Sequence, residues 1–354
     1  MRRLYSSLKA LRHPAQVAAL MADRPAPPVH VRIKPTNVCN HNCYFCAYRS
    51  SAVSLGDDMN ERDRIPRAKM QEIAEDLVAM GVKAVTFSGG GEPLLYPYLV
   101  ETMRTLATGG VRLGALTNAS QLRGKVAEAF AEWGTWIRVS IDGWDGPSYA
   151  RYRDVRESEF SRVMVNLAAF SALDSGCELG ASMIVDATNA NRVALLARQL
   201  KDVGVRQLKV SACVVSNDAE KNDAYHQPFS ATVREQIDEA RKLEDDHFVV
   251  LDHYHTLAGR FGGNHATCPI ARMLTIIGAD CTVYTCQDKA YTASGVLGSI
   301  AERRFSDFWF SDENWTRLRT INPARDCHHH CVAEAKNQVL RELAEVDAAH
   351  AAFV

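Results

Sequence analysis

No stretch of the 354-residue chain approaches the roughly 20 consecutive apolar residues that a membrane-spanning helix needs, so no membrane association is expected. An excess of charge of one sign is also missing. The formal net charge of −1 gives no electrostatic reason for a nucleic acid or an anionic lipid surface as partner. The opening Met1-Arg2-Arg3-Leu4 carries two positive charges but no continuous apolar segment behind them, which argues against a secretory signal and for a cytoplasmic location. No repeat, heptad or low-complexity tract breaks the sequence. With 47% apolar and 23% charged residues it has the balance of an ordinary globular protein.

Cysteine, by contrast, is abundant for such a chain, and its placement is uneven. Of ten cysteines, three stand at 39, 43 and 46, five at 268, 281, 286, 327 and 331, and only Cys177 and Cys213 are isolated. A disulfide scaffold would be short and exported, and this chain is read as neither, so grouped thiols point to metal.

Hydrophobic patterning alternates between two periods. Residues 1–28 have a helical pattern that turns Pro-rich at Pro25, Pro27 and Pro28. Strands are then expected at 29–34, 83–87, 111–116, 136–141, 178–185 and 207–210. Helices are expected at 66–80, 98–108, 122–133, 160–173 and 192–203. Six β-then-α units predict an α/β fold with a parallel sheet, short of the eight that close a barrel, hence an open partial (β/α)6 barrel. After about residue 215 the pattern changes. A charged amphipathic helix at 229–242 precedes a hairpin at 274–286 and the late cysteines. Three regions are therefore expected: a lead-in over 1–28, the partial barrel over 29–215, and a smaller metal-dependent unit over 216–354.

The first thiol group, Cys39-x3-Cys43-x2-Cys46, follows the first strand, where parallel α/β folds place their chemistry. Three thiolates do not close a tetrahedral zinc site without a fourth ligand, for which His41 is available. They can hold three irons of a [4Fe–4S] cluster and leave the fourth open. Ser88-Gly89-Gly90-Gly91-Glu92-Pro93 ends the second strand. It reads either as a Gly-rich turn or as a close backbone approach to a ligand, with Glu92 accepting from an ammonium. Thr117-Asn118 and Ser140-Ile141-Asp142-Gly143 close the third and fourth strands. Cys268, Cys286, Cys327 and Cys331 can enclose either zinc or a full [4Fe–4S] cluster.

The cysteine spacing, with aromatic Phe45 just before the third cysteine, resembles the signature of the radical S-adenosylmethionine (SAM) superfamily. The resemblance covers roughly residues 29–335. It implies a [4Fe–4S] cluster on Cys39, Cys43 and Cys46, whose open iron binds SAM and whose electron cleaves it to a 5′-deoxyadenosyl radical. Gly90, Gly91 and Glu92 match the family's motif for the methionine amino group. Asn118 and Ser140 match positions that serve the ribose and carboxylate, and Arg153 looks like a family arginine near the SAM carboxylate. The C-terminal region, with Val283-Tyr284-Thr285-Cys286, Leu297-Gly298-Ser299-Ile300 and Phe308-Trp309, is similar to SPASM/twitch extensions. That likeness implies a second, auxiliary [4Fe–4S] cluster on Cys268, Cys286, Cys327 and Cys331. Two features depart from the pattern: Cys281 stands where glycine is usual, and the last cysteine pair encloses three histidines, 328–330, read as solvated loop residues.

The expected reaction is hydrogen abstraction from a small polar metabolite of sugar, aminocyclitol or nucleoside type. The auxiliary cluster would take the second electron of an oxidation, and flavodoxin or ferredoxin would supply the first reductant. A redox-neutral epimerase or decarboxylase is the alternative, with Cys213 or Cys281 as hydrogen donor. A peptide maturase and a non-catalytic iron–sulfur sensor are further alternatives. Lys34, Arg138, Lys209 and the segment 149–153 are candidate substrate contacts at the barrel mouth.

Overall fold

The computed structural model describes residues 5–49 and 56–353, apart from 258, 260, 262, 264, 328, 329 and 348. Six strands follow the expected alternation: β1 His30–Ile33, β2 Ala84–Phe87, β3 Arg112–Thr117, β4 Gly134–Ser140, β5 Glu178–Val185 and β6 Gln207–Ala212. Between them run the helices Arg67–Ala79, Leu99–Thr108, Gly124–Trp133, Ser158–Ser171 and Val193–Asp202. One short helix, Gly146–Arg153, was not read from the sequence. It starts on a reciprocal cap, in which the Asp145 side chain accepts from Ser148 N–H and the Ser148 hydroxyl from the Asp145 N–H.

Four more strands extend the array: β7 Val249–Asp252, β8 Leu274–Ile277, β9 Thr282–Tyr284 and β10 Val296–Ser299. The order is β10-β9-β8-β1-β2-β3-β4-β5-β6-β7, an open sheet with β7 and β10 at its edges. β1 to β7 run parallel, β8 lies parallel to the other side of β1, and β9 and β10 are antiparallel. The fold is thus the expected α/β partial barrel. The hairpin expected at 274–286 is present as β8 and β9, and it is built directly onto β1, with His30 opposite Leu274 and Ile33 opposite Ile277. β7 likewise pairs with β6, so the sheet continues past residue 215 at both of its ends.

Alternation along the strands decides what faces where. Val31, Ile33, Val85, Phe87, Leu113, Ala115, Ile137 and Val139 are buried in one apolar cluster with helix residues such as Met70, Ile73, Leu77, Met103 and Phe130. Each such side chain contributes roughly 1.5–3 kcal/mol on burial. Their neighbours on the same strands face the other way, into the barrel, and are polar: Arg32, Thr86, Arg138 and Ser140 among them. No helix among the described residues is long and apolar enough to cross a membrane.

Candidate active site

The chain leaves β1 at Lys34 and forms a loop of tight turns carrying Cys39, Cys43 and Cys46, all three free and half-buried. Cys46 N–H donates to the Cys43 carbonyl at 3.0 Å, and Arg49 N–H to the Cys46 carbonyl at 2.9 Å. Burial pushes the Cys39 thiol up to about 11, and Cys43 is raised for the same reason. Each thiolate would be further disfavoured by its neighbour, Cys39 by Cys43 and Cys43 by Cys46. A bound metal centre would relieve that cost by taking the thiolates as ligands. His41 does not join them. Its ring is 3% exposed and turns to Glu159, 3.6 Å away on the helix Ser158–Ser171. Neither ring nitrogen has a hydrogen-bond partner among the described residues.

The glycine turn after β2 serves the same loop. A Cβ at Gly90 would collide with the Asn37 side chain, and one at Gly91 with the Val38 carbonyl, so only glycine permits this contact with the base of the cysteine loop. Gly91 N–H donates to the Thr36 carbonyl at 3.2 Å and Glu92 N–H to that of Val38 at 2.9 Å. Glu92, 3% exposed, accepts from Leu94 N–H at 3.0 Å, Thr117 O–H at 2.6 Å and Asn118 N–H at 2.7 Å. Burial raises its pKa and these three donors oppose the rise. The charge of Arg153 opposes the rise as well, without an ion pair between the two. Asn118 ties β3 to the loop, its Nδ2 donating to Asn40 Oδ1 at 3.0 Å. Ser140, half-buried at the end of β4, lies in register with Ser182.

Arg153 is 3% exposed and sits against the loop, not merely near it. One guanidinium nitrogen donates to Cys43 Sγ at 3.3 Å, another pairs with Asp142, and the group lies 5.3 Å from the Phe45 ring centroid. Burial works against its charge, but Asp142 and Cys43 hold its pKa above the usual value. Asp142, fully buried, also accepts Ile184 N–H at 2.7 Å. Asp186 was not singled out from the sequence. At the end of β5 it accepts from the phenols of both Tyr44 and Tyr152, the latter at 2.7 Å, and so pins the cysteine loop to the sheet. Its only signal was an acid following a strand, which equally marks a turn.

The C-terminal thiols lie within electrostatic reach of one another. Cys268, Cys286, Cys327 and Cys331 are free and half-buried. Burial and then neighbouring charge raise all four: Cys268 is pushed to about 11 with Cys327 among its neighbours, Cys331 to about 12 with Cys268 among its own. Cys286 feels both Cys268 and Cys331. Asn337 Nδ2 donates to Cys268 Sγ at 3.5 Å. His328 and His329 lie outside the described residues. Among the described residues, no three Cys, His, Asp or Glu side chains lie close enough to share a single metal ion. Cys281 belongs to neither thiol group: it is buried in the apolar core, and the charges that reach it are those of Asp280, Lys69, Asp63 and Glu72. Cys213, just past β6, is half-buried, and its thiol is raised to about 12 by burial and then by Asp186 and Asp142.

Between the two thiol groups lies a short bridge. Lys34, fully buried, donates to Tyr48 O–H at 2.6 Å, to the Gly89 carbonyl at 3.0 Å and to Gln287 Oε1 at 3.4 Å. Tyr48 lies two residues beyond Cys46, and Gln287 directly follows Cys286.

Residues 33–185 match the Radical SAM superfamily, and the chain carries a radical SAM domain over that span. The chain is 31% identical over 147 residues to a GTP 3′,8-cyclase of Synechococcus elongatus, covering 41% of this chain and 42% of that protein. It is 28% identical over 199 residues to dTDP-4-amino-4,6-dideoxy-D-glucose ammonia-lyase of Streptomyces venezuelae, covering 52% and 38%. The fold is shared with Streptococcus suis SuiB, solved bound to S-adenosylmethionine, at a TM-score of 0.63 and 14% identity, covering 94% of this chain and 80% of that one. The chain spans between about one-fifth and three-fifths of the length of the curated relatives it matches. A radical SAM domain implies a [4Fe–4S] cluster and SAM. The first thiol loop fits that requirement by its donor set, with three free thiols on one loop and the buried carboxylate of Glu92 on the adjoining turn.

Proposed function

We propose that the chain is an enzyme that cleaves SAM reductively at Cys39, Cys43 and Cys46 and oxidises a small polar metabolite inside the barrel. Cys39, Cys43 and Cys46 would hold the cluster, which would supply the electron for cleaving SAM and so the radical chemistry at the substrate. Glu92 receives the methionine ammonium, Asn118 and Ser140 offer hydrogen bonds to the rest of SAM, and Phe45 shields the loop. Arg153 holds the loop at Cys43. The C-terminal cysteines are proposed to carry an auxiliary [4Fe–4S] cluster that accepts the second electron, with flavodoxin or ferredoxin as the external reductant.

The observation that carries this reading is the Lys34 bridge. Tyr48, two residues beyond Cys46, and Gln287, directly after Cys286, hydrogen-bond to one buried side chain, which ties the two thiol-bearing loops together. The named relatives, a nucleotide cyclase and a sugar lyase, support a small polar substrate. The test is anaerobic reconstitution with iron and sulfide counts, and assay of 5′-deoxyadenosine after reduction with SAM. About eight irons, with about four lost in Cys39/Cys43/Cys46→Ala and about four in Cys268/Cys286→Ala, are expected. Zinc in place of the second set would turn the C-terminal site into a structural clip. An intact, reducible first cluster that forms no 5′-deoxyadenosine would overturn the enzymatic reading. A redox-neutral epimerisation is the second reading, favoured by Cys213 alone: its protonated thiol lies at the mouth, where it could return a hydrogen atom. Deuterium from solvent appearing in product, and lost in Cys213→Ala, would decide for it.

A further inference from the structure

The inward face of the barrel is basic. By strand alternation Arg32 and Lys34 project inward beside outward Val31 and Ile33, Arg138 beside Ile137 and Val139, and Lys209 beside Leu208 and Val210. Glu178 is an acid on that face; it lies against Gln207, and its charge acts on Lys9 and Arg138. Arg32, Lys34 and Arg138 form no ion pair with any described carboxylate. Lys34 is satisfied only by neutral acceptors. Arg32 reaches Gln287 at 3.3 Å. Arg138 stacks on Tyr5 and Trp136, 5.0 and 5.4 Å from their ring centroids, and donates to the Tyr5 hydroxyl. Four buried polar atoms on the same face have no partner: Arg32 Nε, Arg138 Nε, Ser88 Oγ and Ser211 Oγ. Ser88 is only 2% exposed.

Buried cations and unpartnered donors are costly unless an anion or acceptor completes them. Asp288 and negative charge on the two thiol sites account for part of this, because Asp288 and Cys286 act on Arg32, and Cys46 and Asp288 on Lys34. Glu178 acts on Arg138 without pairing with it, and the Arg138 Nε has no partner among the described residues. We propose that the chamber binds a substrate bearing an anionic group, a carboxylate or a phosphate ester, which is held by the inward basic side chains of β1 and β4 while the remainder of the molecule meets the serine hydroxyls. The planar forks of Arg32 and Arg138 suit either group, since each presents paired N–H donors.

This deepens the reading of the barrel as a substrate chamber and rests on it, but its test requires no turnover. Reconstituted enzyme saturated with SAM is melted anaerobically in inorganic phosphate, in acetate and in chloride at equal ionic strength. At least one of the first two should raise the melting temperature over chloride in a saturable way. Arg138→Gln and Arg32→Gln should each weaken that response at least tenfold in apparent affinity, and Arg138→Lys should retain most of it. Phosphate acting alone assigns a phosphate ester, acetate acting alone a carboxylate. Iron content and the melting temperature in chloride establish that each variant is folded. No response to either anion in the wild type, or an equal response in both Gln variants, overturns the proposal. Formation of 5′-deoxyadenosine in the same samples reports separately on SAM cleavage.

Discussion

Arg153 spends one guanidinium nitrogen on Cys43 Sγ at 3.3 Å and another on Asp142, and both contacts are sealed from water. A cationic hydrogen bond to a ligand sulfur stabilises the more negative state of whatever that sulfur binds. In Arg153→Met the midpoint potential of the first cluster should therefore fall by roughly 50 mV or more, since 59 mV for one electron corresponds to about 1.4 kcal/mol. A redox titration followed by electron paramagnetic resonance measures this; an unchanged potential with weakened SAM binding would instead place Arg153 on SAM. A second residue-scale outcome concerns His30, whose pKa is lowered to about 3 by burial and then by Arg32, and whose Nε2 meets Thr86 Oγ1 at 2.8 Å. The ring is neutral when folded and titrates near 6.5 when unfolded. Its contribution is full above that value and is lost as pH falls from 6.5 towards 3. Between pH 7.5 and 5.5 the wild type should lose about 1 kcal/mol that His30→Gln does not lose, read from urea midpoints. At this scale the sequence was only partly legible. The thiols, Glu92 and Asn118 were visible because their types and spacing are rare. Arg153 was visible but not its sulfur contact, and Asp186 was not visible, since the partners that define it lie on other elements.

The cysteine loop has no regular structure of its own and borrows rigidity from its neighbours. The glycine turn after β2 braces its base, Glu92 joins that turn to the end of β3, and Asp186 fastens its tip from β5. Gly91→Ala forces a Cβ into the Val38 carbonyl. It should cost about 2 kcal/mol and release iron from the first site while sparing the second, as iron counts on folded protein would show. Element types read well from periodicity: the helix expected at 66–80 is Arg67–Ala79, and the strand expected at 178–185 is Glu178–Val185. The four strands that were not foreseen as part of the barrel sheet, β7 to β10, are three or four residues each. A pattern that short states neither its partner nor its direction.

At the scale of the molecule the C-terminal thiol site grows out of the sheet. Because β8 lies against β1 and the Lys34 bridge crosses the same junction, barrel and C-terminal site should unfold in one transition. Far-ultraviolet circular dichroism and the visible absorbance of the reconstituted clusters should show coincident midpoints, whereas two well-separated steps would mean independent units. The α/β class and the open barrel followed from six repeated units, but the joining of hairpin to barrel did not, because pairing between distant segments leaves no local trace. That same pairing governs when the protein can be completed. β1 emerges early in synthesis, yet one of its edges waits for β8, from residue 30 to residue 274. At roughly 5–20 residues per second the wait is roughly 10–50 s, during which the innermost parallel strand offers a bare ladder to any neighbouring nascent chain. Slow translation or crowded polysomes should therefore harm the yield of this protein before any metal is inserted.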